Sequence, residues 1–107
     1  MAEPIKLQGE SGKGYDYWAY PINTTFKDEP GNYIYARRSP AGAWVPVYIG
    51  QTSSLSQRLA SHEKEASIIR DGGATHILAH LSRNTLSRRV EESDLIRHYR
   101  PPFNDSL

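Results

Sequence analysis

The chain has 107 residues, enough for one domain with a single modest core but not for a separate targeting or substrate module. Hydrophobic residues make up 37% and charged residues 23%, as in an ordinary globular protein, and the absence of cysteine excludes disulfides and cysteine-ligated zinc. No run approaches the ~18 apolar residues of a membrane span and the chain shows no signal peptide, so we expect a cytoplasmic protein that has no membrane partner.

The net charge of +1 is unevenly distributed along the chain. Residues 1–36 carry three lysines against five carboxylates, whereas residues 37–100 carry nine arginines and one lysine against six carboxylates. Arginine suits phosphate, because its guanidinium fork matches the phosphate oxygens and stays charged. The second part of the chain therefore has the charge of a phosphate-binding surface, although charge alone is equally compatible with an ordinary solvated surface.

Residues 1–29 are predicted to form an N-terminal extension that packs on a domain formed by residues 30–107. The extension contains "YDYWAY", which concentrates four aromatic side chains between Tyr15 and Tyr20. This segment is interpreted as a strand or cover that packs on the sheet, and alternatively as a platform on which nucleic-acid bases stack.

Three segments of the domain have the composition of strands. "NYIYARR" and "WVPVYIG" (residues 32–38 and 44–50) alternate in polarity and predict an antiparallel hairpin, and "THILAHL" (residues 75–81) predicts a third strand. Pro46 cannot donate a hydrogen bond to a neighbouring strand. We therefore expect it at a bulge or facing an unpaired side.

A first helix is predicted from Leu55 to Asp71, with Ser54 as its N-cap. On such a helix Arg58 and His62 lie one turn apart, on or beside the buried apolar face. A buried guanidinium without a partner is costly, so Arg58 either extends to solvent, pairs with a structural carboxylate or meets a bound anion. His62 is either a core histidine with its hydrogen bonds satisfied or part of a site.

A second helix is predicted from about Leu86 to about Arg100, with Asn84 or Thr85 as its N-cap. Its phase predicts that Glu92 faces the core, whereas Glu91 and Asp94 point elsewhere. Burying a carboxylate costs several kcal/mol unless it meets a cation or a metal. An Arg58–Glu92 ion pair would satisfy both buried charges and is one interpretation.

The other interpretation is a shallow site between the two helices and the tyrosines of the sheet. Hydrolysis of a phosphodiester needs a Lewis acid on a phosphate oxygen, a cation for the developing charge and a base for the attacking water. Glu92, Arg58 and a tyrosine or histidine meet these needs in turn. A single carboxylate is sufficient for Mg²⁺, which keeps several waters and takes phosphate oxygens as ligands.

At these residues the sequence resembles the GIY-YIG nuclease family, over roughly residues 30 to 105. "GNYIY" (31–35) resembles the first signature of the family, although Asn32 replaces its usual apolar residue, and "VYIGQT" (47–52) resembles the second. "QRLASH" (57–62) has an arginine and a histidine at the family's spacing, and "EESDLIRHYRPPFN" (91–104) matches its last motifs.

The resemblance implies an α/β fold, a small GIY-YIG-like domain with a central three-stranded antiparallel sheet flanked by helices. It also implies a DNA endonuclease that uses one divalent metal ion, Mg²⁺ or Mn²⁺. The chain shows no appended DNA-binding domain, so a partner protein or a homodimer is a possible means of substrate delivery. The alternative is a catalytically inactive GIY-YIG-like module that binds nucleic acid or serves as an adaptor.

The resemblance also assigns residue roles. Glu92 would bind the metal, Arg58 would bind and stabilise the phosphate, and Asn104 would brace the site. Water activation and positioning would be shared by three residues, Tyr33, Tyr48 and His62.

Overall fold

The computed structural model describes residues 3–104, which form five strands and three helices. None of the helices in this part of the chain is long and apolar enough to cross a membrane. The elements are, in chain order, β1 Glu3–Gln8, β2 Gly14–Pro21, β3 Gly31–Arg38, β4 Trp44–Thr52, α1 Leu55–Ala60, α2 Glu65–Arg70, β5 His76–Leu81 and α3 Thr85–Tyr99.

The five strands form one antiparallel sheet in the order β1-β2-β5-β3-β4. The expectation of three strands was wrong, because β2 pairs with the free edge of β5 and β1 pairs with β2. The alternating burial of β2 is that of a strand with one face on a core, and pairing removes an exposed edge from β5. The division of the chain at residue 30 stays a prediction, and residues 1–2 and 105–107 lie outside the described residues.

The turn between β1 and β2 is fixed both locally and by α3. The Gly9 amide donates to the Lys13 carbonyl at 2.9 Å, and Gly12 has a φ of +90° that favours glycine. The Asp94 carboxylate on α3 accepts hydrogen bonds from the Ser11 amide at 2.8 Å and the Ser11 hydroxyl at 2.7 Å. The N-terminal hairpin is therefore bound to the last helix of the fold.

The predicted hairpin of β3 and β4 is confirmed, and so is the irregularity at Pro46. Tyr35 pairs with Tyr48 while Ala36 pairs with Pro46, so the register shifts between these two pairs. The shift is a bulge, which accommodates a residue that cannot donate to the ladder.

The sheet separates two hydrophobic cores. The core on one face contains Leu95 of α3 and residues of all five strands, such as Ile34 of β3 and Leu78 of β5. The core on the other face contains Leu55 of α1, Ile68 of α2 and the two most buried tyrosines of β3. These tyrosines are Tyr33 and Tyr35, which are 1% and 0% exposed. Helices α1 and α3 thus pack on opposite faces of the sheet.

The single helix predicted from Leu55 to Asp71 was wrong. Ser54 is its N-cap as predicted, with its hydroxyl accepting from the Gln57 amide, but α1 ends at Ala60 and α2 begins at Glu65. The turn between them is stabilised by the His62 imidazole, whose Nδ1 accepts from the Lys64 amide at 3.2 Å. The helix is therefore interrupted at His62, whose imidazole is buried among the tyrosines of the core.

The prediction that Glu91 and Asp94 of α3 point away from the core was also wrong, although the helix was correct and Asn84, one of the two predicted caps, is its N-cap. Glu91 and Asp94 are the buried carboxylates, each 7% exposed, whereas Leu86 and Val90 are 71% and 56% exposed. The β1–β2 hairpin supplies the polar partners that make this burial tolerable. They are Tyr17, whose hydroxyl donates to Glu91 at 2.5 Å, and Tyr15 and Ser11, which donate to Asp94.

Candidate active site

Two tyrosines from neighbouring strands form the floor of the site. The rings of Tyr33 on β3 and Tyr48 on β4 are stacked with their centroids 6.2 Å apart and an angle of 26° between their planes. Gly50 is the register partner of Tyr33, and a Cβ atom there would lie 2.5 Å from the Tyr33 hydroxyl oxygen. Glycine at this position therefore allows the Tyr33 ring to lie against β4.

Arg58 extends from α1 over this floor. Its Nε donates to the Tyr33 hydroxyl at 3.2 Å, and its two terminal nitrogens donate to the Glu63 carboxylate at 2.7 and 3.3 Å. The alternative of an Arg58–Glu92 ion pair was wrong, because Glu63 is the carboxylate that binds the guanidinium. The Arg58 side chain is 29% exposed, so the guanidinium lies at the rim of the site and is open to a ligand from solvent.

The Arg58–Glu63 pair determines the protonation of both groups. The hydrogen bond from Arg58 lowers the pKa of Glu63 to about 2. Glu63 in turn raises the pKa of Arg58 above its usual value, against the opposing effect of burial. Both side chains are charged at neutral pH, and Glu63 is a direct competitor for any anion that approaches the guanidinium.

His62 is enclosed by the tyrosines and is 5% exposed. Its ring contacts those of Tyr48 edge-on at 4.8 Å, Tyr35 at 5.5 Å and Tyr33 at 5.8 Å between centroids. Burial, followed by the positive charge of Arg58, lowers the pKa of His62 to about 4.

The tautomer of His62 follows from its contacts. Nδ1 accepts from the Lys64 amide, so the single proton of the neutral ring lies on Nε2, which has no hydrogen-bond partner within residues 3–104. At neutral pH the unbonded group of the imidazole is therefore the Nε2–H, which is a donor. The geometry favours a role in positioning the tyrosines over a role in accepting a proton.

Tyr33 is a neutral phenol at physiological pH. Burial raises its pKa above the usual 10, the hydrogen bond from Arg58 acts in the opposite direction, and the charges of Tyr48 and Glu92 add to the increase. Because its oxygen accepts from Arg58, its own O–H remains available to donate to a ligand. The charge of Glu92 on α3 therefore acts on the same tyrosine that Arg58 binds, although α3 packs on the other face of the sheet.

Glu92 is half-buried and has no hydrogen-bond or ion-pair partner in the described part of the chain, unlike Glu91 and Asp94 beside it. Burial raises its pKa, and the charge of Arg89 partly offsets this effect. Residues 3–104 contain no group of three histidine, cysteine or acidic side chains arranged for a metal. A single available carboxylate fits Mg²⁺, which takes one or two carboxylates together with water and phosphate oxygens.

Asn104 binds the C-terminal segment to the free edge of β4. Its Oδ1 accepts from the Ile49 amide at 2.6 Å and its Nδ2 donates to the Ile49 carbonyl at 2.7 Å. The Phe103 amide adds a bond to the Val47 carbonyl at 3.2 Å. These contacts fix the backbone of β4 between Tyr48 and Gly50, on the side of the strand away from β3.

Two residues of the site were not predicted from the sequence. Glu63 binds Arg58, and the Lys64 ammonium lies 5.5 Å from the centroid of the Tyr48 ring and donates to the Phe103 carbonyl at 3.2 Å. The available signal was the charged pair that directly follows His62. The prediction of one continuous helix left no turn at this pair, and no role was assigned to it.

Comparison with known proteins agrees with this geometry. No family model matches the chain. The GIY-YIG N-terminal endonuclease domain of UvrC from Thermotoga maritima, bound to its catalytic divalent cation, magnesium, matches with a TM-score of 0.59 and 30% identity, over 78% of this chain and 91% of that one. A tyrosine-to-phenylalanine mutant of the same domain, also bound to its catalytic divalent cation, matches with a TM-score of 0.60 and 30% identity, over 78% and 90%.

A full-length relative gives the same result in sequence. UvrABC system protein C of Thermotoga petrophila is 32% identical over 85 residues, which cover 75% of this chain. The chain spans 14% of the length of the curated relatives that it matches. The chain belongs to the GIY-YIG nuclease family.

Proposed function

We propose that the protein is a divalent-metal-dependent DNA endonuclease of the GIY-YIG type, which hydrolyses a phosphodiester bond. The observation that carries this proposal is the presence of one available, half-buried carboxylate, Glu92, whose charge acts on Tyr33, the phenol that Arg58 binds. The likeness to an endonuclease domain that binds catalytic magnesium supports the same conclusion.

Glu92 is the proposed ligand of the metal, Mg²⁺ or Mn²⁺. When bound, such an ion polarises a phosphoryl oxygen and offsets the charge that develops in the transition state. Glu92 suits this role because its burial disfavours the unpaired carboxylate, and a cation would relieve that cost. Its neighbour Glu91 is unsuitable, because its carboxylate already accepts from Tyr17 and contacts His80 at 2.7 Å.

Arg58 is the proposed phosphate-binding residue. Its terminal nitrogens bind the two oxygens of Glu63, the same bidentate geometry in which a guanidinium binds two phosphate oxygens. A substrate phosphate therefore has to displace Glu63. Because the pair is at the surface, where ion pairs contribute little to stability, this exchange has a low cost.

The remaining residues are proposed to position the attacking water and the phosphate. Tyr33 has a free O–H to donate, and His62 fixes the Tyr48 ring by edge-on contact. Asn104 holds the β4 backbone beneath both rings. In this arrangement Tyr33 aligns groups by hydrogen bonding, and His62 acts through Tyr48.

DNA is the proposed partner, and delivery by a partner protein or by a homodimer stays a prediction. The second candidate function is an inactive module that binds nucleic acid. The Arg58–Glu63 pair favours this function, because Glu63 occupies the proposed phosphate site on Arg58.

The test is nicking of supercoiled plasmid DNA by purified protein with Mg²⁺ or Mn²⁺. We expect the wild type to nick the plasmid, excess chelator to stop the reaction, and Glu92→Gln to lower the rate by at least about 100-fold, as loss of a transition-state contact of several kcal/mol requires.

Glu10→Gln is the matched control, because Glu10 is an exposed carboxylate that contacts only His98 at the surface. It should keep wild-type activity. Circular dichroism of each variant checks folding. Wild-type protein that binds DNA but fails to nick it with either metal would contradict the nuclease proposal and favour the inactive module.

A further inference from the structure

An open apolar groove lies on the sheet face that carries Tyr33, and none of the proposed catalytic residues lines it. It has a volume of about 560 Å³ and is lined by residues of β2, β5 and the loop that follows β2. Two of its apolar side chains, Trp18 and Leu81, are 46% and 52% exposed. We call it the Trp18 groove. Its aromatic members are Trp18, Tyr20 and Phe26.

The register of the sheet places this groove beside the site. Trp18 on β2 pairs with Ala79 on β5, and Ala79 pairs with Tyr33 on β3. Three residues in one cross-strand row share a face, so Trp18 and Tyr33 lie two strand spacings apart, about 10 Å. Leu55, which also lines the groove, is one helical turn before Arg58 on α1. A chain that enters the site can reach the groove within about three nucleotides at ~3.4 Å each.

The lining of the groove suits a base with a phosphate attached. Tyr20 and Phe26 are in edge-on contact at 5.3 Å, and this contact holds the aromatic wall rigid. Lys27 contributes a cation, and among residues 3–104 no carboxylate lines the groove. Large apolar surface next to positive charge is the combination with which proteins bind unpaired nucleotides.

We propose that the Trp18 groove binds an unpaired nucleobase of the DNA substrate, stacked on Trp18, with Lys27 near its phosphate. This inference rests on the proposed function, which identifies the polymer as DNA. It extends that function by naming the class of DNA substrate. The preferred substrate is DNA with a single-stranded segment within a few nucleotides of the bond that is cut, because bases paired within a duplex do not expose a face for stacking.

Binding is measured with a labelled oligothymidylate of about eight nucleotides in the presence of chelator, so that no cleavage occurs. In a Trp44→Phe background Trp18 is the single tryptophan, and we expect its fluorescence to be quenched on binding. Trp18→Ala should weaken binding about 5- to 100-fold, the range for one stacked base, whereas Trp18→Phe should weaken it less. Leu86→Ala removes an even more exposed apolar side chain on α3 and should leave affinity unchanged.

The second measurement compares cleavage of a gapped substrate with that of a matched duplex. We expect Trp18→Ala to lower kcat/KM for the gapped substrate and to leave the duplex rate unchanged. Equal affinity of Trp18→Ala and wild type for the oligonucleotide would overturn the proposal. Loss of a dimer in sedimentation, with oligonucleotide affinity unchanged, would also overturn it and identify a second copy of the chain as the occupant.

The two proposals can fail separately. Quenching of Trp18 by the oligonucleotide in a protein that nicks no DNA would overturn the nuclease function and support the groove. Nicking that depends on Glu92 but shows no dependence on Trp18 would support the nuclease function and overturn the groove.

Discussion

Arg58 binds a phenol and a carboxylate at the same time, and only the carboxylate can be replaced by a ligand from solvent. The Tyr33 hydroxyl is buried and fixed against Gly50, whereas the Glu63 side chain is 66% exposed on the turn between α1 and α2. Tyr33 therefore orients the guanidinium in both states. Glu63 determines how readily a phosphate gains access to it.

Replacing Glu63 by glutamine removes the competing charge but keeps the size of the side chain. We expect Glu63→Gln to lower the KM for DNA about two- to tenfold with kcat nearly unchanged, because substrate no longer has to displace a carboxylate. Steady-state cleavage kinetics measure this effect. Asp71→Asn breaks another surface pair, with Arg70, and is the matched control. A higher KM for Glu63→Gln would contradict the competition between Glu63 and phosphate.

His62 gives a second prediction, which concerns stability against pH. Its pKa is about 6.5 in the unfolded chain and is lowered by burial to about 4 in the folded protein. Between these values the unfolded state binds more protons. The free energy of unfolding therefore falls as the pH is lowered from about 6.5 toward 4.

The variant His62→Asn isolates this contribution, since an asparagine oxygen can accept from the Lys64 amide as Nδ1 does but does not titrate. We expect the wild type to lose about 1–2 kcal/mol more stability than His62→Asn between pH 7.5 and pH 5. Urea unfolding at both pH values measures the difference, and the values at pH 7.5 report the packing cost of the smaller side chain. Equal losses in the two proteins would show that His62 is not held neutral.

At the scale of elements, the features that were predicted correctly from the sequence are those that local signals determine. The N-caps Ser54 and Asn84, the β3–β4 hairpin and the bulge at Pro46 all follow from side chains that act on their own backbone. The division of the first helix did not follow, because it depends on the contact of His62 with tyrosines of β3 and β4.

The phase of α3 shows the same limit. The prediction assumed that apolar residues of a helix face inward. In the structure the inward face carries Arg88, Glu91 and Asp94 beside Leu95. The partners of Glu91 and Asp94 come from the distant N-terminal hairpin, whereas Arg88 is 3% exposed and donates to Gln51, Ser82 and Thr85. The partners of Glu91 and Asp94 could not be predicted, because the pairing of β2 with β5 had not been recognised.

The C-terminal segment is predicted to act as a clamp on β4. In Asn104→Asp the side chain can still accept from the Ile49 amide but can no longer donate to the Ile49 carbonyl. We expect this variant to lose about 1–3 kcal/mol of stability, the cost of an unsatisfied buried acceptor facing a charge, and to cleave DNA at least about tenfold more slowly. Urea unfolding and plasmid nicking measure the two effects. Ser39→Ala is the control, because it also removes a hydrogen bond between a side chain and the backbone. In the wild type the Ala43 amide donates to the Ser39 hydroxyl in the exposed β3–β4 turn. An Asn104→Asp variant as stable and active as the wild type would exclude a bracing role.

At the scale of the whole molecule, the proposed site combines residues from helices on both faces of the sheet. Arg58 belongs to α1 on one face, and Glu92 belongs to α3 on the other. Neither helix holds the site alone. The N-terminal hairpin contributes at a distance, because its hydrogen bonds to Glu91 and Asp94 set the rotation of α3 and so the direction of Glu92.

The central claim is that Arg58 and Glu92 act on one phosphate, and a double-mutant cycle in plasmid nicking tests it most directly. Residues that act as a unit lose their effect together, so the combined variant should be little slower than the worse of the single variants. We expect Arg58→Ala/Glu92→Gln to nick within about threefold of the slower of Arg58→Ala and Glu92→Gln. Rate losses that multiply in the double variant would show that the two residues act independently and would contradict the account.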